Sequence, residues 1–170
     1  MRISTQGVFI VSGQTIVEML EIVNSLKIDF GSGYNPLAGY KTCDFIPLPN
    51  LDYWYDESRN AIIDLQHGSV TEFYAKNVFH HIKDVKRVAN MLYSYLKPEG
   101  ILVVIEPSRE SYPVNVILDT IYYRWANYKP EIWFSYVYRD FTLDFTSAGF
   151  ALEKSVQIDD IYIKSIYRKE

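Results

Sequence analysis

Apolar and polar residues alternate along this chain in short runs of two different periods, and the runs predict an ordered succession of strands and helices. Ile28 to Phe30 read as a buried strand inside Leu26-Lys27-Ile28-Asp29-Phe30. A second short run, Tyr40-Lys41-Thr42-Cys43, closes at Asp44. After a turn at Pro47-Leu48-Pro49-Asn50, Leu51-Asp52-Tyr53-Trp54-Tyr55 alternates as a third strand and ends at Asp56. Val70 to Ala75 predict a fourth strand. Ile101 to Ile105 are five consecutive apolar residues, the pattern of a central parallel strand buried on both faces. Between these two, Val85, Val88, Leu92 and Leu96 recur at helical spacing, with Asp84 as N-cap and Lys97-Pro98-Glu99-Gly100 as the stop. Strand, helix, strand in this order implies a parallel sheet.

The ends of the chain add further elements. Val8 to Val11 read as an edge strand or a packing arm. Thr15-Ile16-Val17-Glu18 has the form of a capping box, and Ile16, Met19, Leu20 and Val23 continue it at helical spacing. Pro113 opens a helix through Ile117, Ile121 and Trp125. Ala151 to Ile158 and Ile161 to Tyr167, joined at Asp159-Asp160, predict a hairpin.

The chemistry concentrates where the first strand stops. Gly31-Ser32-Gly33 lets the backbone turn sharply and approach a ligand closely at a strand's carboxyl end, which is where open α/β sheets bind ligands. Asp44, at the end of the neighbouring strand, can accept hydrogen bonds from a ribose diol. A dinucleotide fingerprint would need a third glycine, where this chain has Pro36, and a full helix before an acid about 20 residues on. The interval to Asp44, which includes the second strand, leaves room for a turn of helix at most, since a full crossover needs at least about 10 to 12 residues. That disfavours a nicotinamide oxidoreductase and favours a ligand without phosphates, such as S-adenosylmethionine (SAM).

Asp29-Phe30-Gly31-Ser32-Gly33 resembles the first motif of the class I SAM-dependent methyltransferases: an acidic residue, x, Gly, x, Gly. The stretch from Gly31 to Tyr40 followed by Asp44 looks like a compact branch with a shortened first helix. Val70 to Ile82 looks like that family's fourth strand and the start of the next helix, and Leu96 to Pro107 like its turn and fifth strand, with Glu99 in place of a glycine. A weaker likeness covers Phe141 to Glu153. The resemblance implies an α/β fold with a Rossmann-like sheet, mostly parallel with an antiparallel C-terminal hairpin strand, and helices on both faces. It also implies a single domain over residues 1–170 that transfers a methyl group to a small-molecule acceptor by in-line displacement.

By the same resemblance Asp29, Gly31, Ser32 and Gly33 shape the methionine end of the cofactor site and Asp44 the ribose end. Asp56 or Asp64 binds the adenine amine, and Asn77 either lines the site or caps a helix. His80 and His81 are the candidate bases, since an unperturbed histidine titrates near about 6.5; a helix-start packing role is the alternative. Glu106 is a candidate for holding the acceptor or for bracing a loop. The crowd of aromatics from Trp125 to Phe141 either walls an acceptor pocket or fills the core. Asn35 and Pro36 depart from the wider class, which leaves a non-catalytic binding or partner subunit as the competing reading. The chain also lacks a large inserted cap, and a second copy could supply the missing wall as a homodimer.

Composition narrows the partners. The 170 residues suffice for one domain, and a net charge of −4 offers no broad basic field for nucleic acid or an anionic membrane. Cys43, the single cysteine, excludes an internal disulfide and sits in a predicted strand. His67, His80 and His81 lack metal-ligand spacing. No run approaches a membrane span or a signal-peptide core, so the expectation is a cytoplasmic chain.

Overall fold

The computed structural model describes residues 25–114, 117 and 139–170. The expected arm at Val8–Val11, the helix after Thr15, most of the helix after Pro113 and the aromatic run from Trp125 to Tyr138 lie outside the described residues.

Eight strands form one sheet: β1 (Leu26–Phe30), β2 (Lys41–Asp44), β3 (Tyr53–Asp56), β4 (Ala61–Ile62), β5 (Val70–Lys76), β6 (Leu96–Pro107), β7 (Phe150–Ile158) and β8 (Tyr162–Lys169). Their spatial order is β4-β3-β2-β1-β5-β6-β8-β7. β3, β2, β1, β5 and β6 run parallel, β8 lies antiparallel against β6, and β7 antiparallel against β8. The sequence order reverses on either side of β1, because β2 lies on one flank and β5 on the other. In open α/β sheets such a reversal marks where ligands bind, at the carboxyl ends of the strands.

β1 is central, so Ile28 and Phe30 are buried, and β5 buries Val70, Phe73 and Ala75. Helix α1 (Val85–Tyr95) covers the crossover from β5 to β6 and buries Val85, Val88, Ala89, Met91, Leu92 and Tyr95, whereas Leu96, expected on the same helical stripe, and the expected stop Lys97-Pro98-Glu99-Gly100 already belong to β6. Asp84 caps it by accepting from the Arg87 N–H at 3.0 Å. The short helix α2 (Thr142–Ser147) packs against α1 and inserts Phe145 edge-on against Phe79, with ring centres 4.9 Å apart. Asp159 and Asp160 both take positive φ, 53° and 52°, and with Ile161 they make the three-residue connection between the paired residues Ile158 and Tyr162. The expected strands and hairpin are therefore present, with β4 as an additional short edge strand antiparallel to β3. Among the described residues no helix is long and apolar enough to cross a membrane, and no cluster of side chains could hold a metal ion.

Candidate functional site

The turn after β1 is built by two carboxylates. Gly31 and Gly33 have φ of 76° and 53°, the left-handed region that side chains disfavour. The N–H groups of Gly31 and Ser32 both donate to the Cys43 carbonyl, at 2.8 and 3.2 Å. One residue further, the Gly33 N–H donates to Asp44 Oδ2 at 2.8 Å, while Asp44 Oδ1 accepts from Ile46 at 3.0 Å. The far side of the loop returns to β1, where Asp29 Oδ2 accepts the Leu37 N–H at 2.8 Å. Asp29 and Asp44 are both buried. Burial pushes the Asp29 carboxyl above the usual aspartate value; the Leu37 bond partly offsets this, and the charge of Asp44 adds to the rise. A pair of acids concentrated at a strand-end crevice is electrostatically costly without a ligand carrying donors or positive charge.

The opposite wall comes from the residues after β5. Asn77 takes a left-handed backbone, φ 58°, and its N–H is anchored on the Ile105 carbonyl at 2.9 Å. It is therefore a strand-end residue rather than a helix cap. Val78 then leans over the glycine turn: a Cβ on Gly31 would fall 2.4 Å from Val78 Cγ2, so no side chain fits there. The chain neighbours of these two residues, Ser32 and Asn77, each hold a buried side-chain oxygen without a hydrogen-bond partner, Ser32 Oγ and Asn77 Oδ1. A buried polar atom with no partner costs about 1–3 kcal/mol, and such atoms call for an explanation. A ligand with both donor and acceptor groups would satisfy both.

The histidines sit behind this wall. His80 is buried, and its Nδ1 lies 2.5 Å from Glu106 Oε2, while Glu106 Oε1 accepts the N–H groups of Val78 and Phe79 at 2.9 and 2.8 Å. Glu106 is therefore a brace for the turn after β5. The His80 side chain is 1% exposed. His81 lies with its ring 4.0 Å from that of His80. Burial, followed by the neighbouring His80, lowers its pKa to about 3, so it is neutral near physiological pH.

At the end of β3, Asp56 closes its own turn. Its Oδ1 accepts from the Ser58 amide and hydroxyl, at 2.9 and 2.6 Å, and from the Arg59 amide at 3.3 Å. The Ser58 hydroxyl bond is the main reason its carboxyl lies below the usual range. Asp64 is elsewhere. β4 runs antiparallel to β3, pairing Asp56 with Ala61 and Tyr55 with Ile62, so the chain has turned back along β3 before it reaches Asp64. Asp29, Gly31, Ser32, Gly33, Asp44, Asp56 and Asn77 thus share the carboxyl edge, with His80 and His81 following Asn77 along the chain, while Asp64 is exposed just after β4.

Cys43 is fully buried and its thiol is pushed far up by burial, so it acts as a packing group. Beside Glu106, a cavity of about 110 Å³ lined by Arg139, Phe141, Thr142 and Tyr167 is smaller than a site for a drug-sized ligand.

The fold is matched in solved structures. A SAM-dependent methyltransferase from Aquifex aeolicus superposes with a TM-score of 0.57 at 16% identity, over 91% of this chain and 89% of that one. The trans-methyltransferase CalH in complex with SAH matches with a TM-score of 0.59 at 16% identity, over 92% of this chain and 55% of that one. The chain has the class I SAM-dependent methyltransferase fold. A structure concerned with the conversion of a disulfide bond into a thioacetal group during echinomycin biosynthesis has a TM-score of 0.60 at 10% identity, over 91% of this chain and 80% of that one. No protein-family model and no curated protein matches the sequence.

Within this methyltransferase fold the expected glycine turn, strand-end acids and antiparallel tail are all present. Val78, which closes over Gly31, has no counterpart among the residues expected at this turn. Its role depends on β1 and β5 being neighbours, and a lone valine after a strand carries no signal of that.

Proposed function

We propose that this chain is a SAM-dependent methyltransferase acting on a small-molecule acceptor. The observation that carries this reading is the pair of unpartnered buried oxygens, Ser32 Oγ and Asn77 Oδ1, on either side of a glycine that admits no side chain. They form a tight cradle with polar groups still to be satisfied, beside two buried carboxylates at a topological switch point.

SAM supplies a methyl group on a positively charged sulfonium. The chain supplies the binding. The Gly31–Gly33 backbone permits close approach, and Asp29 and Asp44 retain unused lone pairs, since each oxygen that accepts a hydrogen bond here accepts only one. In this reading Asp44 faces the ribose hydroxyls, Asp56 the adenine amine, and Asp29 with Ser32 and Asn77 the methionine end. Methyl transfer is an in-line displacement, so holding donor and acceptor in register supplies much of the rate. A base is required only if the acceptor loses its proton during attack. With His80 shut against Glu106 and His81 a very weak base, both are assigned to shaping the turn after β5.

A small acceptor is supported by the net charge of −4, which offers no basic field for a polyanion. The neighbour from echinomycin biosynthesis is in keeping with it. The test is a coupled assay for SAH release across a panel of small hydroxyl, amine and thiol acceptors, with Asp44→Ala as control. Acceptor-dependent SAH release that drops in the variant supports the reading. A folded protein that binds SAM yet turns over no acceptor points to the non-catalytic partner reading.

A further inference from the structure

We infer that Glu106 is a positioning residue that sets the affinity of the glycine turn for SAM without touching it, acting through Val78. The inference rests on the reading of the crevice as a SAM site.

Glu106 belongs to β6, two strands away from β1. Its carboxylate gathers three consecutive residues: Oε1 takes the N–H groups of Val78 and Phe79, and Oε2 takes the Nδ1 of His80. Two successive amides converging on one oxygen form an anion-binding concavity, and a carboxylate there makes charge-assisted bonds stronger than a neutral acceptor would. The carboxylate is itself buried, so these bonds exchange little with water. Val78 is therefore fixed by its own N–H, and its neighbours on both sides are fixed as well, since the Asn77 amide is tied to Ile105.

The Val78 side chain carries that order across to β1. A Cβ on Gly31 would lie 2.4 Å from Val78 Cγ2 and 3.0 Å from Cγ1, so both methyls occupy the space beside the turn where a side chain would stand. A β-branched side chain is stiff at χ1, and its methyls go where its backbone puts them. The connected series Glu106, Val78 N–H, Val78 methyls, Gly31 links the end of β6 to the cofactor turn. The same turn after β5 also orients the unpartnered Asn77 Oδ1. A brace serving only the fold would not have to bear on the residue that shapes the site.

The experiment is calorimetric titration with SAM and with SAH of the wild type, Glu106→Gln, Glu106→Ala, Val78→Ala and the Glu106→Ala/Val78→Ala double variant. Each is used at a temperature where urea unfolding shows it fully folded. Glu106→Ala and Val78→Ala each weaken SAM binding about tenfold, within the range for residues that act through others. Glu106→Gln keeps an acceptor for the Val78 and Phe79 amides and restores most of the affinity. The double variant binds no more weakly than the weaker single one, because the two residues act in series. A folded Glu106→Ala with wild-type affinity overturns the inference, as do losses that multiply in the double variant. If Glu106→Ala fails to fold, Val78→Ala decides, and wild-type affinity there overturns it. A wild type that binds neither ligand overturns the SAM reading and this inference with it, whereas a binding wild type with unmoved variants overturns this inference alone.

Discussion

The Gly33 amide and the Asp44 carboxylate lie 2.8 Å apart and join the turn after β1 to the end of β2. A residue expected to serve a ligand thus also holds the loop that would receive it. With Asp29 bonded to Leu37 on the other side, the loop is preshaped by the acids of the site itself, and ligand binding does not have to order it.

Replacing Asp44 with alanine should therefore cost both stability and binding. The Gly33 and Ile46 amides lose their acceptor, a penalty of about 1–3 kcal/mol in urea unfolding. Asp44→Asn keeps one carbonyl oxygen and should lose less stability while still weakening SAM.

Gly31 and Gly33 should differ sharply in tolerance. Alanine at 33 meets nothing within 4 Å and bears mainly the left-handed backbone penalty, about 1–2 kcal/mol. Alanine at 31 adds a clash with Val78, a further 1–3 kcal/mol or so. Adding Val78→Ala to Gly31→Ala should recover the clash but not the backbone part, as read from denaturation midpoints.

Asp56 and Asp64 separate on position. Asp64 is exposed and follows a strand that turns back from Asp56 along β3, so Asp64→Ala should leave SAM affinity within about twofold. Asp56→Ala should weaken it several-fold. Equal effects from both would remove Asp56 from the adenine end.

His81 makes the fold acid-sensitive. The unfolded chain takes up a proton at this residue below about pH 6.5, whereas the folded chain does so only near about 3. Protonation in that window favours unfolding, so stability falls as pH drops, by at most about 1.4 kcal/mol per unit. Asp56, held low by Ser58, acts in the same direction at lower pH, and Asp29, raised by burial, in the opposite one. Comparing wild type with His81→Gln between pH 7.5 and 5 isolates the histidine, and the variant should show the flatter profile.

Much of the architecture was legible because burial writes directly into local pattern. The five-residue apolar run at Ile101 marks a strand covered on both faces, and the Val85, Val88, Leu92 spacing marks the covering helix. The glycine turn and Asp44 were legible because φ above zero and a strand-end acid leave residue-type signatures. Asp64 was ambiguous because the two-residue strand β4, which carries it away, is too short to show a period. The pairing of Glu106 with His80 and the contact of Val78 with Gly31 were not readable. Both depend on the register of β5 against its neighbours, Lys76 beside Ile105 and Asp29 beside Tyr74, which local pattern does not encode.

The most direct measurement is isothermal titration of the folded wild type with SAM, SAH and NAD, repeated on Asp44→Ala. The account predicts micromolar binding of SAM and SAH, weakened in the variant, and no response to NAD. A folded protein that ignores both SAM and SAH, or that binds NAD in their place, would contradict it.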